Sequence, residues 1–162
     1  AKLLGNKLIG VTDELNDIAR RLTDSGLHIA DKKVVQTIGD VGAISVARKL
    51  GFKPTAFPTR YHGIDGVLKH PDGRFILVEA KGGTSNLSMT KYGEQLSQGW
   101  IQRKIDILKK HDPKWAKELE DAIAAGKLEV LCVSVPINGK VVGDPTYVLK
   151  SYGQLGARTF LR

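Results

Sequence analysis

Cysteine is almost absent from this sequence, and it contains no long apolar run. The single cysteine, Cys132, stands in the apolar stretch 130–133, so the chain can form neither an internal disulfide nor a cysteine-based zinc site. That setting favours a small buried side chain over a reactive thiolate. No stretch approaches the roughly 20 apolar residues of a membrane-spanning helix, and no signal peptide is recognisable. The first residue is Ala1 rather than Met, which suits a fragment of a longer protein.

Acidic residues are also in deficit. The 162 residues include 17 Asp and Glu against 25 Lys and Arg, which gives a formal charge of +8 and a pI of about 9.6. Such a balance favours a polyanionic partner, which can be nucleic acid, an acidic protein or a membrane surface. With 41% apolar residues the chain can bury a core of its own, and its length favours one domain over 1–162.

Apolar spacing and turn residues predict an α/β (α+β) layered domain. Helices are predicted at 12–24 with Thr12 as N-cap, at 32–50, at about 94–110, and from Pro113 to just before Gly126 with Asp112 as N-cap. Strands are predicted at 60–69, 74–81 and 128–135, with a hairpin at Asn138-Gly139 and edge strands at 140–142 or 147–149. Gly39 and Gly42 weaken the second helix, and they would permit another element to approach it closely.

The two strands before and after residue 72 form the most informative part of the sequence. The proline, aspartate and glycine of the turn His70–Arg74 suit a three-residue loop, a type I turn with a G1 bulge. That loop places Asp65 directly opposite Glu79, with Cβ atoms roughly 5 Å apart, and Lys81 on the same face. A two-residue loop would instead place Asp65 opposite Ala80 and separate the two acids.

Two neighbouring carboxylates repel each other unless a cation lies between them. Oxygen ligands suit Mg²⁺ or Mn²⁺, with Zn²⁺ as an alternative, and Lys81 would stand beside the metal. The competing interpretation is a surface cross-strand trio in which Lys81 neutralises one acid. The apolar run Phe75–Val78, which predicts a buried strand, and the basic charge of the chain favour the metal site.

These residues resemble the PD-(D/E)XK nuclease superfamily. Gly63–Gly66 is similar to its metal-binding Asp element, and Glu79–Lys81 is similar to its E-x-K element. The strings GIDGV, VEAKGG and MTKYGEQLSQGWI resemble the restriction-endonuclease-like toxin domains of bacterial polymorphic toxins, including contact-dependent inhibition and Rhs-type effectors. The likeness covers about residues 39–105. It implies a restriction-endonuclease-like αβββαβ core at 31–162, with a central mixed sheet flanked by helices, after a helical extension at 1–30.

The resemblance also implies roles for particular residues. Asp65, Glu79 and the Ala80 carbonyl would bind the metal, and Lys81 would orient or deprotonate the attacking water. Gln95 would join the catalytic residues from the helix after the E-x-K element, with Gln98 as second choice.

A further acid often comes from a core helix of such nucleases. Asp40 is our candidate and Glu14 its rival, although either can be a solvated helix residue. One departure from the family pattern stands out, because no third strand is obvious between Lys81 and the following helix. Either 87–90 forms a brief edge strand or the core is rearranged.

The helices after the E-x-K element carry many cations that could contact phosphates without reading sequence, although such residues are also common on solvated faces. They are Lys91, Arg103, Lys104, Lys109, Lys110, Lys114 and Lys117. Trp100 and Trp115 follow aliphatic spacing and are predicted to lie in the core rather than to stack on bases.

The functional hypothesis is a metal-dependent endonuclease that cuts phosphodiester bonds, with DNA favoured over RNA. The resemblance implies secretion as part of a larger effector, action in the cytoplasm of a target bacterium, and a cognate immunity protein, which we expect to be acidic because the domain is basic. We expect no membrane partner. The alternatives are a tRNA-directed RNase on the same fold, a catalytically inactive nucleic-acid-binding module, and a protein-interaction domain.

Overall fold

A computed structural model describes residues 10–57, 66–82, 89–90, 93–94 and 96–155. Its helices are α1 (Val11–Asp24), α2 (Lys32–Lys49), α3 (Gln98–His111) and α4 (Pro113–Ala124). Its strands are β1 (Lys53–Pro54), β2 (Gly66–Lys69), β3 (Phe75–Gly82), β4 (Met89–Thr90), β5 (Gly93–Glu94), β6 (Leu128–Val135), β7 (Ile137–Asn138), β8 (Val141–Val142) and β9 (Thr146–Ser151). Within the described ranges, no helix has the length and apolar character needed to span a membrane.

The fold centres on a five-stranded mixed sheet with the order β1-β2-β3-β6-β9. The central strands β3 and β6 run parallel, and the other neighbours are antiparallel. The short strands β4 and β5 pair with each other, as do β7 and β8. The predicted fold class is confirmed: this is a mixed α/β domain whose central sheet is flanked by helices.

The main sheet has a further strand before the hairpin. β1 pairs with β2, and when the separate β4/β5 pair and α4 are set aside the order α2-β1-β2-β3-α3-β6 reads αβββαβ. Of the brief strand considered at 87–90, Met89–Thr90 is present as β4, but it pairs with β5 rather than with the main sheet. The sequence did not predict β1, because two residues are too few to show an alternation of apolar and polar side chains. Pro54 also argues against a strand except at a sheet edge.

The sheet separates two apolar cores. Alternate side chains of β3 and β6 point to opposite faces, as the period of a strand requires. On one face Ile76, Val78 and Val133 pack with residues of α1 and α2. On the other, Leu77 and Val130 pack with residues of α3 and α4.

Two glycines let α2 approach the sheet closely, as predicted. A Cβ atom on Gly39 would lie 3.2 Å from the Gly82 nitrogen, and one on Gly42 would lie 2.6 Å from a methyl group of Val135. α2 therefore crosses the ends of β3 and β6 at these glycines. Glycine lowers the stability of a helix, and in α2 the close contact with the sheet offsets that loss.

One predicted helix cap and one predicted helix start were wrong. α1 begins at Val11 after Gly10, and the hydroxyl of Thr12 donates to Asp144 at 2.7 Å instead of capping the helix. α3 begins at Gln98 with Ser97 as N-cap, because the chain just before it, at Gly93–Glu94, is still in β5. The predicted start of α4 is confirmed, with the Asp112 side chain as the cap.

The turn between β2 and β3 has the predicted form. The His70 amide donates to the Arg74 carbonyl at 2.8 Å, and the Gly73 amide donates to the His70 carbonyl at 2.9 Å. Gly73 has a φ of +95°, the left-handed conformation of a G1 bulge. The pairs along the two strands run from Lys69 and Phe75 to Gly66 and Val78, which is the register that the three-residue loop predicts.

Candidate active site at the end of the central strand

The centre of the candidate site is a buried glutamate on β3. Phe75–Val78 are buried on both faces, as expected for a central strand with β2 on one side and β6 on the other. Glu79 continues this run and is only 4% exposed. An acidic side chain is rarely buried to that extent unless it is paired, so its position requires a cation or hydrogen-bond donors nearby.

Lys81 supplies a cation beside Glu79. Its Nζ atom lies 3.4 Å from Glu79 Oε1, and 15% of the lysine side chain and 6% of the glutamate side chain are exposed. Charges so shielded from water attract each other more strongly than a surface pair. Both side chains follow Leu77 at even spacing and therefore point toward the α3/α4 side of the sheet. The predicted pairing of an acid and an ammonium on one face is confirmed for these two residues.

Several predicted site residues lie outside the described residues. Asp65 is one position beyond the described start of β2, so its place opposite Glu79 stays a prediction. The confirmed register ends at Gly66 opposite Val78 and is the one on which that prediction depends. Gln95 and Lys91 are likewise outside the described residues.

The second-choice glutamine is tied to the C-terminal part of the chain. Gln98 Nε2 donates to the Tyr152 carbonyl at 3.0 Å, and Gln102 Nε2 donates to the Tyr152 hydroxyl at 2.8 Å. Both bonds join α3 to the segment that follows β9. They give Gln98 a structural role that the sequence did not indicate.

The candidate helical acids lie in the other helix layer. Asp40 is exposed on α2, which covers the face of the sheet opposite to Glu79 and Lys81. Its neighbour Gly39 touches Gly82, so Asp40 stands at the same end of β3 as the pair. Glu14 is exposed on α1, which packs against α2 and β8. The preference for Asp40 over Glu14 as a further metal ligand stays a prediction.

The neighbouring strand β6 contributes residues that sequence reasoning missed. In the parallel register Cys132 stands beside Glu79, and Ser134 stands beside Lys81. Adjacent strands are about 4.8 Å apart, and paired side chains point to the same face. Cys132 and Ser134 are half-buried. No local pattern predicts this neighbourhood, because the pairing joins segments that are far apart in the chain.

The donor chemistry of the described residues fits a hard divalent cation, but only in part. Glu79 offers carboxylate oxygens and Ala80 a backbone carbonyl, which are the ligand types that Mg²⁺ and Mn²⁺ prefer. Within the described ranges, no cluster of three or more His, Cys, Asp or Glu residues is present. A complete oxygen site therefore depends on Asp65 joining Glu79, as the hairpin register predicts.

The predicted basic face on the helices is partly neutralised. Lys109 lies 3.1 Å from Glu120 and 3.9 Å from Asp106, and Lys117 lies 2.9 Å from Asp121. The hydrogen bond to Asp121 raises the pKa of Lys117 above its usual value, which stabilises its charged form. These two lysines are therefore weaker candidates for phosphate contacts than their spacing suggested.

The predicted role of the two tryptophans as core residues holds. Trp100 is 4% exposed within the α3/α4 core, with Lys104 5.0 Å from the centre of its ring. Trp115 makes edge-to-face contacts with Phe57 and Phe75. Trp100 is therefore closed to stacking bases, whereas Trp115 is half-buried and packs against the edge of the same core.

Comparisons with protein-family models, with curated proteins and with solved structures found no match to this chain. The class of protein that the fold and the site define is a mixed α/β domain with a buried Glu–Lys pair at the end of its central strand.

Proposed function

We propose that this domain is a metal-dependent nuclease that hydrolyses phosphodiester bonds. The observation that carries the proposal is the Glu79–Lys81 pair, which is held at 3.4 Å where β3 ends beside the parallel strand β6. Crevices at the carboxyl ends of such strands are the usual ligand sites of open α/β sheets. The αβββαβ order and the hairpin register, both expected for a PD-(D/E)XK nuclease, support the same proposal.

Each residue has a defined role in this proposal. Glu79, Asp65 and the Ala80 carbonyl would hold the cation, with Asp40 as a further ligand. The bound metal would polarise the phosphoryl group and lower the pKa of a water. Lys81 would orient the attacking water and stabilise negative charge on the phosphate oxygens, because its ammonium is fixed by Glu79 before substrate arrives.

The biological setting follows from the resemblance and the charge. We propose a toxin domain delivered as part of a larger effector into the cytoplasm of a target bacterium, with an acidic immunity protein as its antagonist. DNA is the favoured substrate and tRNA the alternative.

Cleavage assays with three variants test the proposed function. Supercoiled plasmid and total tRNA are incubated with the protein and Mg²⁺ or Mn²⁺, and with EDTA. We expect Glu79→Gln and Lys81→Met each to lower the rate by at least about 100-fold, the usual loss when a group that stabilises the transition state is removed.

Glu129→Gln is the matched control. Glu129 is also a strand glutamate paired with a cation, since it lies 2.5 Å from Arg74, but it stands near the other end of the sheet and on its other face. We expect this variant to cleave like the wild type. The proposal is wrong if the wild type cuts neither substrate with either metal, or if Glu79→Gln cuts as fast as Glu129→Gln. The substrate that the wild type cuts decides between DNase and RNase.

A further inference from the structure

A group of four cations lies at the end of the sheet away from Glu79. We call it the cationic edge: Arg48 and Lys49 in the last turn of α2, Lys53 on β1 and Lys69 on β2. All four side chains are exposed. Lys53 stands directly opposite Lys69 in the antiparallel register. Like charges in that position repel each other and destabilise a sheet, so the arrangement favours a bound anion.

The cationic edge differs from the paired lysines of α3 and α4 in one respect. Within the part of the chain that the structure describes, none of its four cations is in an ion pair with an acid. Lys109 and Lys117, in contrast, are neutralised by acids of α3 and α4. The cationic edge is therefore one place where unneutralised positive charge collects, and the exposed helical lysines Lys110 and Lys114 are likewise in no ion pair among the described residues.

The cationic edge also has a concave surface. An open cleft of about 400 Å³ is lined by Arg48, Gly51, Phe52, Lys53 and Pro54, among which there are two cations and no acid. A phosphate group is small enough to enter this cleft. Lys69 is placed beside it by the cross-strand pairing with Lys53.

The distance to the candidate active site suits a nucleic-acid strand. Lys69 pairs with Phe75, which precedes Glu79 by four residues on β3. At about 3.3 Å per strand residue, the separation along the sheet is roughly 13 Å. The rise per nucleotide along one strand of a duplex is about 3.4 Å, so a strand passing around the buried face of β3 would need about four nucleotides or more to span the two places.

We propose that the cationic edge binds backbone phosphates of the nucleic-acid substrate about four or more nucleotides from the bond that is cut. This inference rests on the proposed nuclease function and adds a second contact to it. The contact is electrostatic and reads no base sequence, because lysine and arginine bind phosphates as charges. The contact would hold the nucleic-acid strand so that the bond to be cut lies at the Glu79–Lys81 pair.

The salt dependence of binding tests the proposal. Glu79→Gln protein, which should not cut the probe, is titrated with a fluorescent 20-base-pair duplex at several salt concentrations. Each phosphate contact contributes about 0.9 to the slope of log K against log salt. We therefore expect Lys53→Gln/Lys69→Gln to reduce that slope by about 1.8. The matched control is Lys109→Gln/Lys117→Gln, which removes the same charge from paired lysines and should change the slope by much less.

A second measurement separates this contact from catalysis. Bis(p-nitrophenyl) phosphate is a diester too short to reach the cationic edge, so Lys53→Gln/Lys69→Gln should cleave it like the wild type while the KM for polymer rises. Equal slopes for the two double variants would overturn the inference even if the wild type is an active nuclease. A reduced slope in a protein that never cleaves would support the contact and overturn the nuclease instead.

Discussion

Ser134 is a polar residue in an otherwise apolar part of β6. It stands beside Lys81 in the parallel register and points to the same face of the sheet. Its neighbours Val133 and Val135 point to the opposite face, into the α1/α2 core, while Ser134 is half-buried on the face of the Glu79–Lys81 pair. A hydroxyl next to a fixed ammonium can share in binding a phosphate oxygen.

We therefore expect Ser134→Ala to weaken substrate binding without removing catalysis. A hydrogen bond to a charged group is typically worth about 1.5–3 kcal/mol, so KM should rise about tenfold or more while kcat changes little. Steady-state kinetics on the substrate that the wild type cuts would measure this. Ser45→Ala, a half-buried serine on α2, is the control. Unchanged KM together with unchanged kcat would show that Ser134 takes no part in the site.

At this scale, sequence reasoning identified Glu79 and Lys81 because both signals are local. An E-x-K string directly after four apolar residues predicts a buried strand. Because strand side chains alternate between faces, its Glu and Lys then lie on one face. Ser134 could not be identified in this way. Its relevance depends on which distant strand lies beside β3, and no short window of the sequence contains that information.

Among the secondary-structure elements, the turn before β3 shows how one acid contributes to stability. Asp72 accepts a hydrogen bond from the Arg74 backbone amide at 3.0 Å and from the Arg74 side chain at 2.8 Å. The backbone bond first, and then the bond and charge of the guanidinium, lower the pKa of Asp72 below its usual value of 3.8. A carboxyl whose pKa is lower in the folded protein stabilises the fold above the unfolded value. That stabilisation is lost as the pH falls below 3.8 through the folded pKa.

We expect Asp72→Asn to lower stability at neutral pH and to reduce the loss of stability on acidification. Urea unfolding at several pH values between about 6 and 2 would measure both effects, because the slope of unfolding free energy against pH reports the difference in bound protons. Asp24→Asn, at the exposed end of α1, serves as the control. If the two variants lose stability in parallel with the wild type below pH 3.8, the turn does not have this role.

The contact between α2 and β3 predicts the effect of a single methyl group. A Cβ atom on Gly82 would lie 2.5 Å from the carbonyl oxygen of Val35, which belongs to the helix backbone and cannot rotate away. We expect Gly82→Ala to cost about 1–3 kcal/mol of unfolding free energy, the usual range for overpacking. Because α2 would be pushed from the strand end that carries Lys81, cleavage should fall as well.

Chemical denaturation of Gly82→Ala and Gly153→Ala checks this prediction. Nothing lies within 4 Å of a Cβ atom on Gly153, and its φ is not in the left-handed region, so the control should stay near wild-type stability. Equal stability of the two variants would mean that the helix is not seated on β3 at Gly82.

Turn residues and the length of each element decided which of these elements the sequence could predict. The sequence His70–Arg74 determines its own loop, and the loop then sets the register of eight paired residues. β1 has two residues and carries no pattern, so it becomes a strand only because β2 offers an edge to pair with. The start of α3 was misplaced for a related reason, since the short pairing of β4 with β5 prevents the helix from beginning earlier.

On the scale of the whole molecule, the strand order brings the candidate site together. The parallel pairing of β3 with β6 places both carboxyl ends at one edge, where α2 crosses them at Gly39 and Gly42. The apolar spacing of the sequence predicts helices on a mixed sheet, but it does not say which strands are neighbours. Which strands become neighbours depends on how helices pack on both faces of the sheet. The strand order is therefore a property of the complete chain.

Metal binding should be visible as a stability change of the whole domain, independently of any cleavage. A ligand that binds only the folded state stabilises it by about 2.7 kcal/mol at 100 times its Kd. For a domain of this size that corresponds to a rise in Tm of roughly 5 to 10 °C. We expect Mn²⁺ or Mg²⁺ to raise the Tm of the wild type and of Glu129→Gln, whereas Glu79→Gln should respond no more than to KCl of equal ionic strength, because its amide is a far weaker ligand than a carboxylate. A Tm shift that survives in Glu79→Gln would place the cation elsewhere in the molecule, and Lys81 would then be the partner of a structural glutamate rather than of a metal ligand.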